Sequence, residues 1–227
     1  VWVTNDGGDT VAQFTVAADG TLSPQPLAAV RAQDGPIAIA RVDGASAALP
    51  VPAFAYAATG DTVSLYTIGA DGRLAAQTPA SAIGGFNANG IAVHPSGRYA
   101  YVSNAGSDAL SQYLVGAAGA LVPMVAPTIA AGSTPVDVAV DATGRHVYAL
   151  ALLTNEIRHF TVGADGALVA GFTLPVSTSP RAIAIDPGGR FAYVVSSFQS
   201  VVSQYAIAAN RDSGIGGDCG GRPGLRT

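Results

Sequence analysis

Residues 89–121 read NGIAVHPSGRYAYVSNAGSDALSQYLVGAAGAL, and residues 135–168 repeat that pattern as PVDVAVDATGRHVYALALLTNEIRHFTVGADGAL. A third copy opens at Pro180 with PRAIAIDPGGRFAYVVSSFQSVVSQYAIAAN. Two looser copies come earlier: VWVTNDGGDTVAQFTVAADGTL at Val1, and PIAIARVDG at Pro36 leading to FAYAATGDTVSLYTIGADGRL. Three landmarks keep register through all five. One aromatic stands at Trp2, Tyr56, Tyr101, Tyr148 and Tyr193. A second follows at Phe14, Tyr66, Tyr113, Phe160 and Tyr205, twelve residues later in four copies and ten in the second. Five residues further come Asp19, Asp71, Ala118, Asp165 and Asn210, most of them opening an Asp-Gly turn. A fixed period of about 45 residues is the mark of a repeat architecture.

Each copy divides into four short runs. An apolar run (IAVHP, VAVDA, IAIDP) meets a Gly-Arg turn, a run such as YAYVSN follows, then SQYLV, then a run after the Asp-Gly turn such as LVPMVAP. These lengths and turn residues predict four antiparallel strands, a to d, in a meander. Runs of Val, Ile and Ala without strict alternation predict strands covered on both faces, as when blades stack on one another. The sequence therefore predicts an all-β β-propeller of about five four-stranded blades, near residues 1–30, 36–80, 89–128, 135–176 and 180–209.

The ends depart from the repeat. Copy one opens at strand b, and copy five runs out after strand c. Residues 210–227, NRDSGIGGDCGGRPGLRT, carry six glycines and little that packs, so a disordered tail or a stretch foreign to the fold is expected. Copy two carries about nine additional residues around ASAALPVP, residues 45–52, which read as a protruding loop. An open arc or strained ring with wet end blades is the expected outcome.

Composition narrows the function. The chain is 49% hydrophobic and 11% charged, with 28 glycines, which suits many short buried strands and excludes disorder. Net charge is −4, and all 11 basic residues are arginine with no basic run, so nucleic-acid binding is not expected. No uninterrupted apolar run reaches the roughly 18 residues of a membrane-spanning helix. Cys219 is the one cysteine, so neither a disulfide within the chain nor a cysteine metal site can form. No phosphate loop, nucleophile elbow or zinc motif occurs, and no cofactor or metal is expected.

The motifs IAVHPSGRYAYVSNAGSDALSQYLVGAAGAL and IAIDPGGRFAYVVSSFQSVVSQYAIAA resemble the lactonase-like β-propeller family, which includes 6-phosphogluconolactonase-type enzymes. WVTN at Trp2 and YVSN at Tyr101 are similar to the YVTN repeats of surface-layer proteins. The resemblance implies seven blades, against five copies here, so the chain would be a fragment or its ring would close unusually. It also implies a hydrolase of sugar-type lactones, cytoplasmic in setting; the YVTN-like repeats imply instead a non-catalytic, extracytoplasmic scaffold with a protein partner. Enzymes of the family tend to carry a histidine just before strand a. The matching places here are Pro36-Ile37, Asn89-Gly90, Pro135-Val136 and Pro180-Arg181, so no catalytic role is carried over.

In a meander the d-to-a and b-to-c loops share one end of the propeller, and the a-to-b and c-to-d turns share the other. The a-to-b turns recur from copy to copy and fit turn chemistry. The opposite end is less repetitive, as expected of a binding surface on a regular scaffold. Its candidate ligand-binding residues are Arg181, Asn89, Asn104, Asp108 and Glu156. Arg181 stands out because the other copies place Ile37, Gly90 and Val136 there, and its planar fork could clamp a carboxylate or phosphate. Glu156 and Arg158, two apart on one strand, read as a local ion pair. His94, His146 and His159 share no ligand spacing.

Overall fold

The computed structural model describes residues 1–32, 35–42, 53–207 and 215–218, arranged as five antiparallel sheets. Blade one holds β1 (Trp2–Asn5), β2 (Thr10–Val16) and β3 (Leu22–Arg31). Blade two holds β4 (Pro36–Val42), β5 (Ala53–Thr59), β6 (Thr62–Ile68) and β7 (Leu74–Ile83). Blade three holds β8 (Ala88–Val93), β9 (Tyr99–Asn104), β10 (Ala109–Val115) and β11 (Leu121–Ala130). Blade four holds β12 (Pro135–Val140), β13 (His146–Ala151), β14 (Glu156–Val162) and β15 (Leu168–Pro175). Blade five holds β16 (Pro180–Ile185), β17 (Phe191–Ser196), β18 (Val201–Ile207) and β19 (Ile215–Asp218). Neighbouring strands are consecutive in every sheet, so each blade is a meander. The first strands gather at the centre, β4 on β8, β8 on β12 and β12 on β16.

The second strands explain why apolar residues in these copies do not alternate. All six residues of β9 and all six of β13 are buried, because each strand is covered by a blade on either side. Four apolar clusters occur among the described residues, one at each junction of consecutive blades. None joins blade five to blade one.

Polar bonds repeat along with the packing. The strand-b tyrosine reaches forward to the next blade's c-to-d turn: the Tyr56 hydroxyl donates to Gly119 O at 2.8 Å, and that of Tyr101 to Gly166 O at 2.7 Å. A strand-c glutamine does the same one strand out. Oε1 of Gln13 accepts from Leu74 N, and Oε1 of Gln112 from Leu168 N, both at 2.7 Å. The strand-c tyrosine reaches backward, the Tyr66 hydroxyl to Arg31 O and that of Tyr113 to Gly84 O. Four of the landmark aromatics, Tyr56, Tyr66, Tyr101 and Tyr113, are thus stitches between blades.

Two expectations about the ends are revised or left aside. Blade five does have a fourth strand: Ile215–Asp218 pairs with β18 through Ile207↔Ile215, Ala206↔Gly216 and Tyr205↔Asp218. An edge strand is held by its backbone, so a segment with few side chains to pack still completes the sheet. The remaining tail residues and the extra residues around ASAALPVP lie outside the described residues. Among the described residues no helix is long and apolar enough to cross a membrane.

Candidate functional site

Every inner strand begins with the same irregularity. Pro36 pairs with Thr59 and Ala38 with Ala58, leaving Ile37 as an extra residue; Asn89, Val136 and Arg181 are bulged out in the same way. A bulge frees one side chain from its place in the pleat and re-aims it. Ile37, Asn89, Val136 and Arg181 therefore occupy one position in four consecutive blades, at the end that carries the d-to-a and b-to-c loops. Matching Arg181 with Gly90 on sequence was off by one, because blade three has Ala88 where the other inner strands open on a proline; Asn89, Val136 and Arg181 each stand five residues before the turn residues His94, Asp141 and Asp186. Its counterpart is Asn89, so two of the sequence candidates share one structural position. Arg181 is exposed, and its Nε donates to Ser197 Oγ at 3.3 Å, while that hydroxyl donates to Ser179 O.

One residue beyond the bulge, blades two and five have Ala38 and Ala182, blade three has Gly90, and blade four has Asp137. Asp137 was not singled out on sequence, where it reads as an interruption of the apolar run PVDVAV. The same copy-to-copy comparison that picked out Arg181 would have found it. Its Oδ2 accepts from Ile183 N at 2.9 Å and its Oδ1 from Val138 N at 2.8 Å. Ile183 is two residues from Arg181, so a carboxylate and a guanidinium stand on adjacent inner strands. Burial raises the Asp137 carboxyl above its ordinary 3.8, against the pull of the Ile183 and Val138 N–H groups.

That shift carries a sign. The native state holds this proton more tightly than the unfolded chain does. The resulting stabilisation is present below the unfolded value and is lost as pH rises through the raised native value. Asp137→Ala removes this dependence. Thermal midpoints of the two proteins should therefore move in the variant's favour as pH rises from 3.8 towards neutrality. Parallel curves would contradict the assignment.

The other three sequence candidates belong to the scaffold. Asn104 is fully buried. In the amide orientation that satisfies its neighbours, it donates to Gly84 O and accepts from Ser111 Oγ and N. It offers solvent nothing. Asp108 has φ 54° and its Oδ1 accepts from Thr134 N at 2.7 Å. The same latch recurs as Asp9 to Gly35, Asp61 to Asn87 and Asn155 to Ser179. Each ties a b-to-c turn to the following d-to-a loop. Glu156 accepts from Arg158 Nε at 2.8 Å on β14, two strands away from the centre. It does not reach the inner strands, and the local ion pair is what the structure contains.

Asp108→Ala should cost about 1–2 kcal/mol, combining a lost hydrogen bond with alanine's poorer tolerance of left-handed backbone. Faster hydrogen exchange at the Thr134 amide, with blade-two amides unaffected, would check it.

The histidines are structural. His94 Nε2 donates to Gly144 O at 2.8 Å while Nδ1 accepts from Ser96 N, linking the a-to-b turns of blades three and four. His146 Nδ1 and His159 Nε2 share a 2.9 Å hydrogen bond, both rings are buried, and His159 stacks on Phe172. At the loop-bearing end, Phe86, Leu153 and Phe198 are exposed. Phe86 lies over Gly106, in the place that Leu153 and Phe198 take in their own b-to-c loops. No cluster of three or more His, Cys, Asp or Glu suited to a metal occurs among the described residues.

Four-stranded meanders that gather their first strands at the centre define a β-propeller, with Asn89 and Arg181 the two polar residues among its four bulge positions. The family model described as the seven-bladed lactonase β-propeller matches residues 1–170, and the chain belongs to this lactonase family. No curated protein matches it. Among solved structures it is similar to the periplasmic gluconolactonase of Pseudomonas aeruginosa, at 22% identity and TM-score 0.71, covering 93% of this chain and 62% of that one. A candidate 6-phosphogluconolactonase of Bacteroides fragilis is 18% identical with TM-score 0.73, over 96% of this chain and 65% of that one. A functionally unknown protein of Desulfotomaculum acetoxidans is 16% identical with TM-score 0.73, over 93% and 63%. At these identities the likeness carries the fold alone. The chain spans less than two thirds of the length of each.

Proposed function

We propose that this protein binds and hydrolyses a sugar-type lactone at the loop-bearing end of its inner strands. The reading is carried by the placement of Asp137 and Arg181 on adjacent inner strands, and it is supported by membership of the lactonase family. Arg181, exposed at its bulge, would hold the carbonyl oxygen or an anionic substituent of the lactone. Asp137 would take a proton from water as it attacks the carbonyl carbon, its raised pKa bringing it nearer to a useful base. The ring C–O bond then breaks, the proton passes to the departing ring oxygen, and a hydroxy acid is released. Turnover of a panel of sugar lactones tests this. Arg181→Ala should raise KM and Asp137→Asn should lower kcat, each with an unchanged far-ultraviolet spectrum. No turnover by the purified protein removes the enzyme reading.

A second reading, a non-catalytic scaffold for a protein partner, is favoured by the internal engagement of Asn104, Asp108 and Glu156 and by the exposed Phe86, Leu153 and Phe198. Capture of a partner lost on Phe198→Ser, in a protein inert towards lactones, would support it.

A further inference from the structure

The position before the strand-c aromatic is polar in four copies, as Gln13, Gln112, His159 and Gln204, and is Leu65 in blade two. In blade three its amide binds twice. Gln112 Oε1 accepts from Leu168 N of blade four at 2.7 Å, and its Nε2 donates to Ala126 O of its own blade at 2.9 Å.

Register identifies what Leu65 leaves open. The pair Val115↔Leu121 repeats Ile68↔Leu74 and Val162↔Leu168, so Leu121 N stands where Leu74 N and Leu168 N donate to a glutamine. Likewise Ser64↔Ser81 repeats Ser111↔Thr128, so Pro79 O stands where Ala126 O accepts from Gln112. A leucine side chain can neither accept from the one nor donate to the other.

A cavity of about 310 Å³ lies at this junction, and Leu65, Leu121 and Pro79 all line it. That is the small end of the range of ligand sites, about 300–1,000 Å³. Leu65, Tyr113 and Leu121 are its buried lining, and Ile83 is exposed at its edge. The Tyr113 hydroxyl is already engaged by Ile83 O and Gly84 O. Blade two packs on blade one, and blade three on blade four, so the junction is internal to the array.

We propose that this cavity binds a small carboxamide with an apolar body, whose amide takes the place of the missing glutamine amide. Its carbonyl oxygen accepts from Leu121 N, its N–H donates to Pro79 O, and its body lies against Leu65, Ala82 and Tyr113. A hydrocarbon would leave both backbone groups without partners, and a buried polar group left without one is costly. A carboxylate would have no proton to donate to Pro79 O. The site lies among strands c and d of blades two and three, away from the inner strands, and is independent of the lactone reading.

Titration with benzamide, followed through the amide resonances of isotope-labelled protein, tests this. Acetophenone serves as the comparison, since it has nearly the same shape and the same carbonyl but no N–H. Benzamide should move the Leu121 amide proton downfield and saturate. Acetophenone should bind about three- to tenfold more weakly, the worth of one hydrogen bond. Leu65→Gln should shift the Leu121 amide downfield without ligand and weaken benzamide binding more than about tenfold, because the protein then supplies the amide itself. Should that variant not fold, Ala82→Leu decides: at a half-buried wall position it fills the space of the body and should weaken binding by a similar factor. No saturable shift at Leu121 overturns the proposal. Acetophenone binding as tightly as benzamide, or a folded Leu65→Gln or Ala82→Leu that binds benzamide as the wild type does, overturns it equally.

Discussion

Tyr101→Ala is expected to destabilise the protein by about 3–5 kcal/mol, the usual cost of removing a buried aromatic. The ring is fully buried between blades three and four, among Leu110, Val138, Val147 and Phe160. Its hydroxyl donates to Gly166 O at 2.7 Å, and burial raises its pKa because the phenolate would have no water. Two losses therefore add: the cavity left by the ring, and a carbonyl left without its donor. Tyr101→Phe separates them, keeping the ring and losing only the bond, at about 1–3 kcal/mol. Urea unfolding of the two variants decides the matter. Equal losses would mean that the hydroxyl, not the packing, holds the junction.

Gly90→Val is expected to cost about 3 kcal/mol or more, at the upper end for overpacking. A β-carbon at Gly90 would lie 2.8 Å from Ser103 Oγ and 2.9 Å from Asp137 Cα. The second of these is backbone of the neighbouring inner strand, which cannot turn aside as the tip of a side chain can. Relief would have to come from separating β8 and β12. That would also disturb the bond from Gly90 N to Ser103 Oγ and the carboxylate of Asp137. Alanine is native at the matching positions 38 and 182, yet Gly90→Ala should still be destabilising, because only here does Asp137 stand opposite. A Gly90→Val protein within about 0.5 kcal/mol of wild type, the range of surface substitutions, would show that these strands part easily.

The fold was legible in the sequence because its determinants are local and repeated. An aromatic in strand b, another in strand c and a turn residue five places on recur in each copy, and Tyr56 with Tyr101, and Tyr66 with Tyr113, make the same bonds at their own junctions. The site was legible only in part. Arg181 was visible as a departure from the repeat, but its register was misjudged by one residue, since Ala88 replaces the proline that opens the other inner strands and so hides the strand's start. Asp108 and Asn104 looked like surface residues because loops usually carry function. Asp108 in fact bonds a backbone N–H 26 residues on, and Asn104 is buried at the end of β9 against Gly84 and Ser111.

The sequence by itself determined the architecture of this protein: four-stranded antiparallel blades, their order and the residues that stitch them, because strand, turn and burial preferences act over a few neighbours and are repeated five times. The tertiary structure alone decided which polar groups remain open. A side chain's partners at this end lie one blade away, as Asp137 and Ile183 do across 46 residues. Whether a carboxylate is a latch, an ion-pair partner or a group facing the centre depends on how closely two inner strands approach. No local pattern encodes that distance; the packing of one blade against the next sets it.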